Sequence, residues 1–252
     1  MIARSIDSNE TRNSELITAY VNAGETYKIR INSTAGSSTS QYLFRTKITT
    51  SQRQGKVFTQ TSVQPNNLNT RYNATIILPE LWEMGYDAGE YVDHYASSAY
   101  IQMPDCDLVV ITSHGDEGRI YFYDDSFMTG GTATYGIPYC ACLPNYATGA
   151  LTRVKLLLFS GCNTGDSSSI HGNLVDVALS KDVMCCIGWT ESFWDADIYY
   201  WHTKFFEKLS EGLTVGDAIS ETNAWIAAYA TELSTITAQY YGSSALHALT
   251  LK

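Results

Sequence analysis

The sequence has few charges, and basic residues are the scarcer kind. Only 17% of the 252 residues are charged, and 16 Lys and Arg stand against 26 Asp and Glu, which gives a net charge of -10. No basic tract is present, so the electrostatic footprint of a nucleic-acid-binding protein is missing. We therefore expect no nucleic-acid partner, and an acidic surface of this kind favours a cationic partner or substrate.

Several other classes of protein are disfavoured by missing patterns. Apolar runs such as 108–111 and 156–159 are far shorter than the ~20 residues that a membrane span requires. Six cysteines without a Cys-x-x-Cys predict neither a disulfide scaffold nor a structural zinc site. Gly-x-Ser-x-Gly, P-loop and dinucleotide fingerprints are also missing, which makes serine hydrolases and nucleotide-binding enzymes poor candidates.

The polar composition bears on the cellular location. Eighteen tyrosines and many Ser, Thr and Asn residues accompany the few charges. Such surfaces are typical of exported bacterial proteins, so we expect a secreted or cell-surface protein, with the cytoplasm as the alternative.

The first 66 residues differ from the rest of the chain. They are rich in Ser, Thr, Asn and Gln, and their apolar residues alternate in 26–31 and 42–48. Period-two patterns of this kind indicate short antiparallel strands. We predict a β-rich N-terminal extension over residues 1–66. Because two or three strands form no sandwich alone, they dock on the larger domain or belong to a truncated module.

Residues 67–252 alternate between strand and helix patterns. Continuous apolar runs predict buried strands at 108–112, 156–160 and 183–188, as in a parallel sheet covered on both faces. Apolar spacing and end signals predict helices at 73–84 and 198–209 and a further helix that starts at Thr214. The alternation in 119–123 predicts a hairpin. We predict an α/β three-layer sandwich with a central, mainly parallel sheet and helices on both faces.

Two of the predicted strands end in reactive residues. The strand 108–112 runs into His114, and the strand 156–160 runs into Cys162. Open parallel sheets bind ligands beyond the carboxyl ends of their strands. If these strands are neighbours, ~4.8 Å apart, the imidazole and the thiol face the same crevice.

This pair of residue types suits nucleophilic catalysis. A thiolate attacks a carbonyl carbon, an imidazole moves the proton, and backbone N–H groups bind the oxyanion. Gly115 and Gly161 flank the two residues and allow the close backbone approach that the last task needs. The alternative is that both residues have structural roles only: the Cys162 thiol packs in the core, and the His114 imidazole bonds to a nearby carbonyl. The pairing of the two strand ends favours catalysis.

These motifs resemble those of a known family. An apolar strand ending in His-Gly, and 48 residues later a second ending in Ser-Gly-Cys-Asn-Thr-Gly, resemble the caspase-like cysteine peptidases of clan CD. The local sequence is nearer to the bacterial CHAT-type and clostripain-like branches than to caspases, whose Gln-Ala-Cys is missing. The resemblance covers about residues 70–252.

The resemblance implies a cysteine endopeptidase that acts on peptides or proteins. It implies Cys162 as the nucleophile, His114 as the general base or acid, and the N–H groups of Gly115 and Cys162 as the oxyanion hole. It implies no cofactor. Some relatives bind calcium, for which the acidic turns at 116–117 and 124–125 are candidates here, although solvated turn carboxylates are commoner.

Substrate preference is the weaker part of the resemblance. Branches that cleave after Arg or Lys hold an acid just beyond the strand that follows the nucleophile's helix, where Glu191 stands, with Asp195 and Asp197 as further candidates. The alternative to an acidic pocket is an apolar pocket lined by Trp189 and Trp194.

One position departs from the family pattern. Clostripain-like relatives hold an acid two residues before the cysteine, where this chain has Ser160. The second function class consistent with the residues is a catalytically silent caspase-fold domain that binds or scaffolds other proteins.

Overall fold

The fold is described from a computed structural model. It describes residues 53–64, 66–132, 140–229, 240–242 and 250–251. All of them belong to the second of the two compact units into which the chain divides, residues 47–252. The predicted strands within 26–31 and 42–48 lie outside the described residues.

Ten strands and five helices are described. In chain order the strands are β1 (Gln54–Thr59), β2 (Asp87–Val92), β3 (Leu108–Thr112), β4 (Gly115–Asp116), β5 (Arg119–Tyr121), β6 (Phe127–Thr129), β7 (Cys140–Cys142), β8 (Leu156–Ser160), β9 (Cys185–Ile187) and β10 (Tyr240–Gly242). The helices are α1 (Arg71–Glu83), α2 (Ala96–Gln102), α3 (Leu174–Ser180), α4 (Asp195–Ser210) and α5 (Val215–Tyr229).

The central sheet has the order β10-β9-β8-β3-β1-β2. Its strands are parallel except for β10, which pairs antiparallel with β9 at one edge. The predicted mainly parallel sheet is confirmed. The expected neighbour relation between the two strands with reactive ends is confirmed too, because β3 and β8 are hydrogen-bonded to each other.

Strand β1 corrects the predicted domain boundary. Residues 54–59 were predicted to belong to the extension that ends at 66, but they form an interior strand between β2 and β3. Lys56 explains the error, because a charged residue is unusual in a central strand. Its ammonium lies 2.5 Å from Gln102 Oε1 and 4.7 Å from the Tyr91 ring centroid, so the charge is accommodated inside the fold.

Helices cover both faces of the sheet, as predicted. One apolar cluster joins the sheet to α1, α4 and α5, and a second joins the opposite face to α2 and α3. Along β8 the side chains alternate between the clusters: Leu156 and Leu158 belong to the first, and Leu157 and Phe159 belong to the second. We call these two sides the α1/α4/α5 face and the α2/α3 face.

A small second sheet follows β3 in the chain. Its order is β4-β5-β6-β7, and β4 and β5 form an antiparallel hairpin, which agrees with the hairpin predicted around residues 119–123. The whole of this sheet lies in sequence between β3 and β8.

The helix signals also agree with the structure. Gly85 follows α1 with φ 94° and Gly212 follows α4 with φ 96°, left-handed values that favour glycine. Thr214 Oγ1 accepts the N–H of Asp217 at 3.1 Å and donates to its carboxylate at 2.6 Å, which forms the predicted cap of α5. Among the described helices, none has the length and apolar character of a membrane span.

Candidate active site

The register of β3 and β8 places the two reactive residues side by side. Thr112 pairs with Ser160, and the Ser113 N–H donates to the Ser160 carbonyl at 3.1 Å. His114 and Cys162 each follow the last paired residue by two positions. Residues at equal offsets beyond a parallel pair lie next to each other as long as the two chains continue together.

Strand alternation assigns both side chains to the α1/α4/α5 face. Leu108 and Val110 of β3 lie on that face, as do Leu156 and Leu158 of β8, and the same parity continues to residues 114 and 162. The contacts agree with this assignment. The Cys162 Sγ lies 3.5 Å from the backbone nitrogen and 3.7 Å from the carbonyl oxygen of the residue at position 193, just before α4.

Two glycines hold the strand ends in direct backbone contact. A Cβ on Gly115 would press on the carbonyl oxygen of Cys162 and lie 2.7 Å from the carbonyl carbon of Gly161 and 2.8 Å from the Cys162 nitrogen. A Cβ on Gly161 would lie 3.0 Å from the Gly115 Cα and nitrogen and from the Ser113 oxygen. Contacts this short leave no room for any side chain at position 115.

The geometry leaves two backbone N–H groups beside the thiol available as donors. The Tyr121 N–H donates to the His114 carbonyl at 2.9 Å, so the next pair, Gly115 and Ile120, is a non-hydrogen-bonded pair of the hairpin. The Gly115 N–H therefore points away from β5. The Cys162 N–H makes no hydrogen bond within the described part of the chain. These are the two donors that the family resemblance names for an oxyanion.

The segment before α4 lies along the loop that carries the thiol. The Asn163 N–H donates to the Glu191 carbonyl at 3.3 Å, and the Gly165 N–H donates to the Trp189 carbonyl at 2.8 Å. Asn163 has φ 56°, a left-handed value that asparagine tolerates better than most residues. These bonds fix the backbone that follows Cys162.

Burial controls the protonation of His114. It lowers the pKa of the imidazole, and the nearby Asp195 carboxylate opposes that shift. The Nε2 atom is buried and makes no hydrogen bond with any described residue. A histidine that is neutral near pH 7 can accept a proton from a thiol.

Asp195 is the acid that faces this imidazole. Burial raises the pKa of its carboxyl group, and Tyr72 and His114 lower it. The Tyr72 hydroxyl donates to the Asp195 carbonyl at 3.2 Å, and burial followed by the Asp195 side chain raises the pKa of that tyrosine. The sequence predicts Asp195 only as a pocket acid, because no motif shows that the start of α4 lies next to His114.

The other pocket candidates occupy different environments. Glu191 has an exposed side chain, whereas Asp197 is buried in the first turn of α4. Trp189 is 1% exposed, and its ring packs 5.2 Å from that of Phe193, centroid to centroid. Trp189 therefore belongs to the core beneath the site, whereas Trp194 is 76% exposed.

Burial raises the pKa of four of the other cysteines. Burial raises the pKa of Cys106 to about 11 and that of Cys185 to about 12, and it raises the pKa of Cys186 well above the ordinary value. Burial, and then the Cys142 sulfur 3.1 Å away, raise the pKa of Cys140 to about 12. These four groups stay protonated at neutral pH, and thiols react as thiolates.

The acidic turns contain exposed carboxylates. Among the residues that the structure describes, no group of three His, Cys, Asp or Glu side chains gathers in a way that holds a metal ion. Asp124 and Asp125 are exposed and share φ 57°.

Among solved structures, the fold is similar to caspase-like cysteine peptidases. The Arg-specific cysteine proteinase gingipain R matches with a TM-score of 0.57 and 15% sequence identity, over 77% of this chain and 47% of that chain. Caspase-1 from Spodoptera frugiperda (TM-score 0.43, 12% identity, 75% and 86% of the two chains) and the Drosophila initiator caspase Dronc (0.43, 14%, 75% and 78%) are more distant. This chain thus spans about half the length of gingipain R.

The similarity establishes the fold. No protein-family model matches the sequence, and no curated protein does. The central parallel sheet with helices on both faces is the caspase-like α/β fold that the sequence analysis predicted.

The contact between Gly115 and the loop of Cys162 yields a first prediction. The substitution Gly115→Ala forces the two strand ends apart, so we expect a loss of about 1–3 kcal/mol in unfolding free energy and slower alkylation of Cys162. Urea unfolding and mass-spectrometric labelling measure the two effects. Gly89→Ala in β2 is the control, because the nearest atom to its Cβ is a Tyr91 ring carbon at 3.7 Å. An unaltered stability and labelling rate in Gly115→Ala would contradict the close contact.

The electrostatics of His114 yield a second prediction. The substitution Asp195→Asn removes the negative charge that favours the imidazolium, so the pKa of His114 should fall below its wild-type value. At any given pH a smaller fraction of His114 is then protonated. NMR titration of the ring Cε1–H checks this, and Glu191→Gln, which removes an exposed carboxylate instead, should leave the His114 titration unchanged. An identical titration in Asp195→Asn would show that the two groups do not interact.

Proposed function

We propose that the chain is a cysteine endopeptidase in which Cys162 and His114 hydrolyse peptide bonds. The observation that carries the proposal is the backbone contact between Gly115 and the Gly161–Cys162 segment, since it joins the ends of two neighbouring parallel strands at the positions of the imidazole and the thiol. The fold shared with gingipain R supports it.

The residues would divide the reaction as follows. His114 takes the proton of the Cys162 thiol, and the thiolate attacks the carbonyl carbon of the scissile bond. The N–H groups of Gly115 and Cys162 donate to the oxygen that gains the negative charge. The imidazolium then protonates the departing amine, and water hydrolyses the thioester, which restores the thiol and releases the acid.

Substrate preference is the finer part of the proposal. We infer a preference for Arg or Lys before the scissile bond, because the chain is acidic overall and Glu191 stands in the segment bonded to the nucleophile's loop. A carboxylate recognises a guanidinium through charge-assisted, often bidentate hydrogen bonds. The gingipain R structure is that of an Arg-specific proteinase, which is consistent with the inference. Asp195 and Asp197 are the further candidate acids, and the exposed Trp194 offers an apolar surface.

The dyad is tested by removing each member. We expect Cys162→Ala and His114→Ala each to reduce peptide turnover by at least ~10³-fold, and the double variant to be no worse, because nucleophile and base act as one unit. Turnover of fluorogenic peptides measures the effect, and circular dichroism shows that each variant is folded. Cys140→Ala is the matched control and should keep wild-type turnover.

A labelling experiment separates catalysis from mere binding. An iodoacetamide or acyloxymethyl ketone probe should modify Cys162 in preference to the other five cysteines, because burial keeps Cys106, Cys140, Cys185 and Cys186 protonated and Cys142 is only 7% exposed. Equal labelling of several cysteines, or full turnover in Cys162→Ala, would refute the proposed function.

The preferred substrate is tested with a peptide library randomised at the residue before the scissile bond. We expect cleavage after Arg and Lys, and we expect Glu191→Gln to weaken that preference about tenfold or more, because a lost charged contact leaves its partner unpaired. Asp195→Asn and Asp197→Asn test the other two acids. Cleavage after Asp or after large apolar residues, or an unchanged profile in all three variants, would contradict the preference while leaving the dyad intact.

A further inference from the structure

A buried chain of three polar side chains lies beneath the reactive pair. His202 of α4 is fully buried, and its Nε2 is 3.0 Å from the hydroxyl of Ser160, the last residue of β8. Its Nδ1 is 3.0 Å from the Oδ1 of Asn73 in α1. Asn73 and Ser160 are buried as well. We call Asn73, His202 and Ser160 the polar chain. The polar chain links one strand to two helices of the α1/α4/α5 face, and none of its members takes part in the proposed reaction.

The direction of the hydrogen bonds follows from the chemistry of the groups. Burial lowers the pKa of His202 to about 3, so its imidazole is neutral between pH 5 and pH 8. The Asn73 Oδ1 only accepts hydrogen bonds, so the His202 Nδ1 carries the proton. The Nε2 lone pair then accepts the hydroxyl proton of Ser160. Because His202 neither gains nor loses a proton, it takes no part in proton transfer. Its hydrogen bonds therefore serve to hold its neighbours in position.

Ser160 connects this chain to both reactive strands. It lies two residues before Cys162, and its carbonyl accepts the N–H of Ser113, the residue before His114. Its hydroxyl bonds to His202, so a single residue is tied to β3 through the backbone and to α4 through the side chain.

Helix α4 connects the polar chain to the segment at Phe193, which flanks the Cys162 thiol. Phe193 lies just before the helix, and its backbone N–H and carbonyl flank the Cys162 Sγ at 3.5 and 3.7 Å. A rotation of α4 relative to β8 would shift these groups against the sulfur. The bonds of His202 oppose that rotation because they join the helix to the strand that carries the thiol.

The apolar residues around the polar chain suggest a role for it other than stabilising the fold. The neighbouring core residues of α4 are Trp201, Phe205 and Phe206, and apolar side chains of similar volume are often as stabilising as a buried polar network. Directional hydrogen bonds supply what apolar packing lacks, a fixed register between the elements they join.

We propose that Asn73, His202 and Ser160 are positioning residues that hold α4 against the end of β8 and so keep the Cys162 thiol in its reactive geometry. The turnover part of this inference rests on the proposed function. The part that concerns thiol reactivity does not, because alkylation needs no peptide substrate.

The test uses Ser160→Ala, Asn73→Ala and the double variant in the full chain. We expect each single variant to reduce both the alkylation rate of Cys162 by iodoacetamide and kcat by about tenfold per folded molecule, with KM within about twofold of wild type, because a small displacement of reacting groups costs at least this much. The double variant should lose no more than either single variant, since both act through one imidazole. Ser210→Ala is the control, because it removes a buried hydroxyl of α4 that bonds the Glu207 carbonyl at 2.9 Å, away from the site.

A spectroscopic readout in the wild-type protein does not depend on the folding of any variant. The ¹⁵N resonances of His202 should show a neutral ring protonated at Nδ1 throughout pH 5–8. A charged ring, or a proton on Nε2, would overturn the proposed chain.

Further outcomes distinguish this inference from the proposed function. Alkylation rates within about twofold of wild type in both single variants, or additive losses in the double variant, would overturn the positioning role. A wild-type chain that cleaves no peptide would refute the proposed function, and the alkylation rates would still decide whether the chain positions the thiol.

Discussion

The rest of the site depends on the backbone contact between the ends of β3 and β8. Two glycines make this contact, and it brings residues 114 and 162 together at the carboxyl edge of the sheet. Every other feature acts on that junction. The hairpin of β4 and β5 turns the Gly115 N–H outward, the segment before α4 flanks the thiol, and the hydrogen bonds of Ser160 tie the junction to the helices behind it.

Much of this arrangement was predictable from the sequence, for identifiable physical reasons. Strands β3 and β8 are apolar throughout because both of their faces are covered, and such runs are distinctive. The glycine and threonine signals at the ends of α4 and α5 are local, so they require no knowledge of the fold. The place of His114 and Cys162 after neighbouring strands follows from a general property of parallel sheets.

The errors and omissions arise where tertiary contacts decide. Strand β1 contains Lys56 and has polar residues, Gln54 and Thr59, at its two ends, so its pattern is that of a half-exposed strand, although it lies inside the sheet. The proximity of Asp195 to His114 depends on the packing of α1 and α4 at the sheet edge, which no sequence motif records. His202 has no motif either, because its partners are 42 and 129 residues away in the chain.

The position of the second sheet has an evolutionary consequence. Strands β4 to β7 occupy the chain between β3 and β8, yet the pairing of β3 with β8 is what brings the backbone at residues 114 and 162 to the same edge of the sheet. Insertions or deletions in the segment between the hairpin and β8 change the number of residues between positions 114 and 162 but leave the pairing of β3 with β8 unchanged. A lineage can therefore change the length of the chain that follows the hairpin of β4 and β5 while β3 and β8 stay paired.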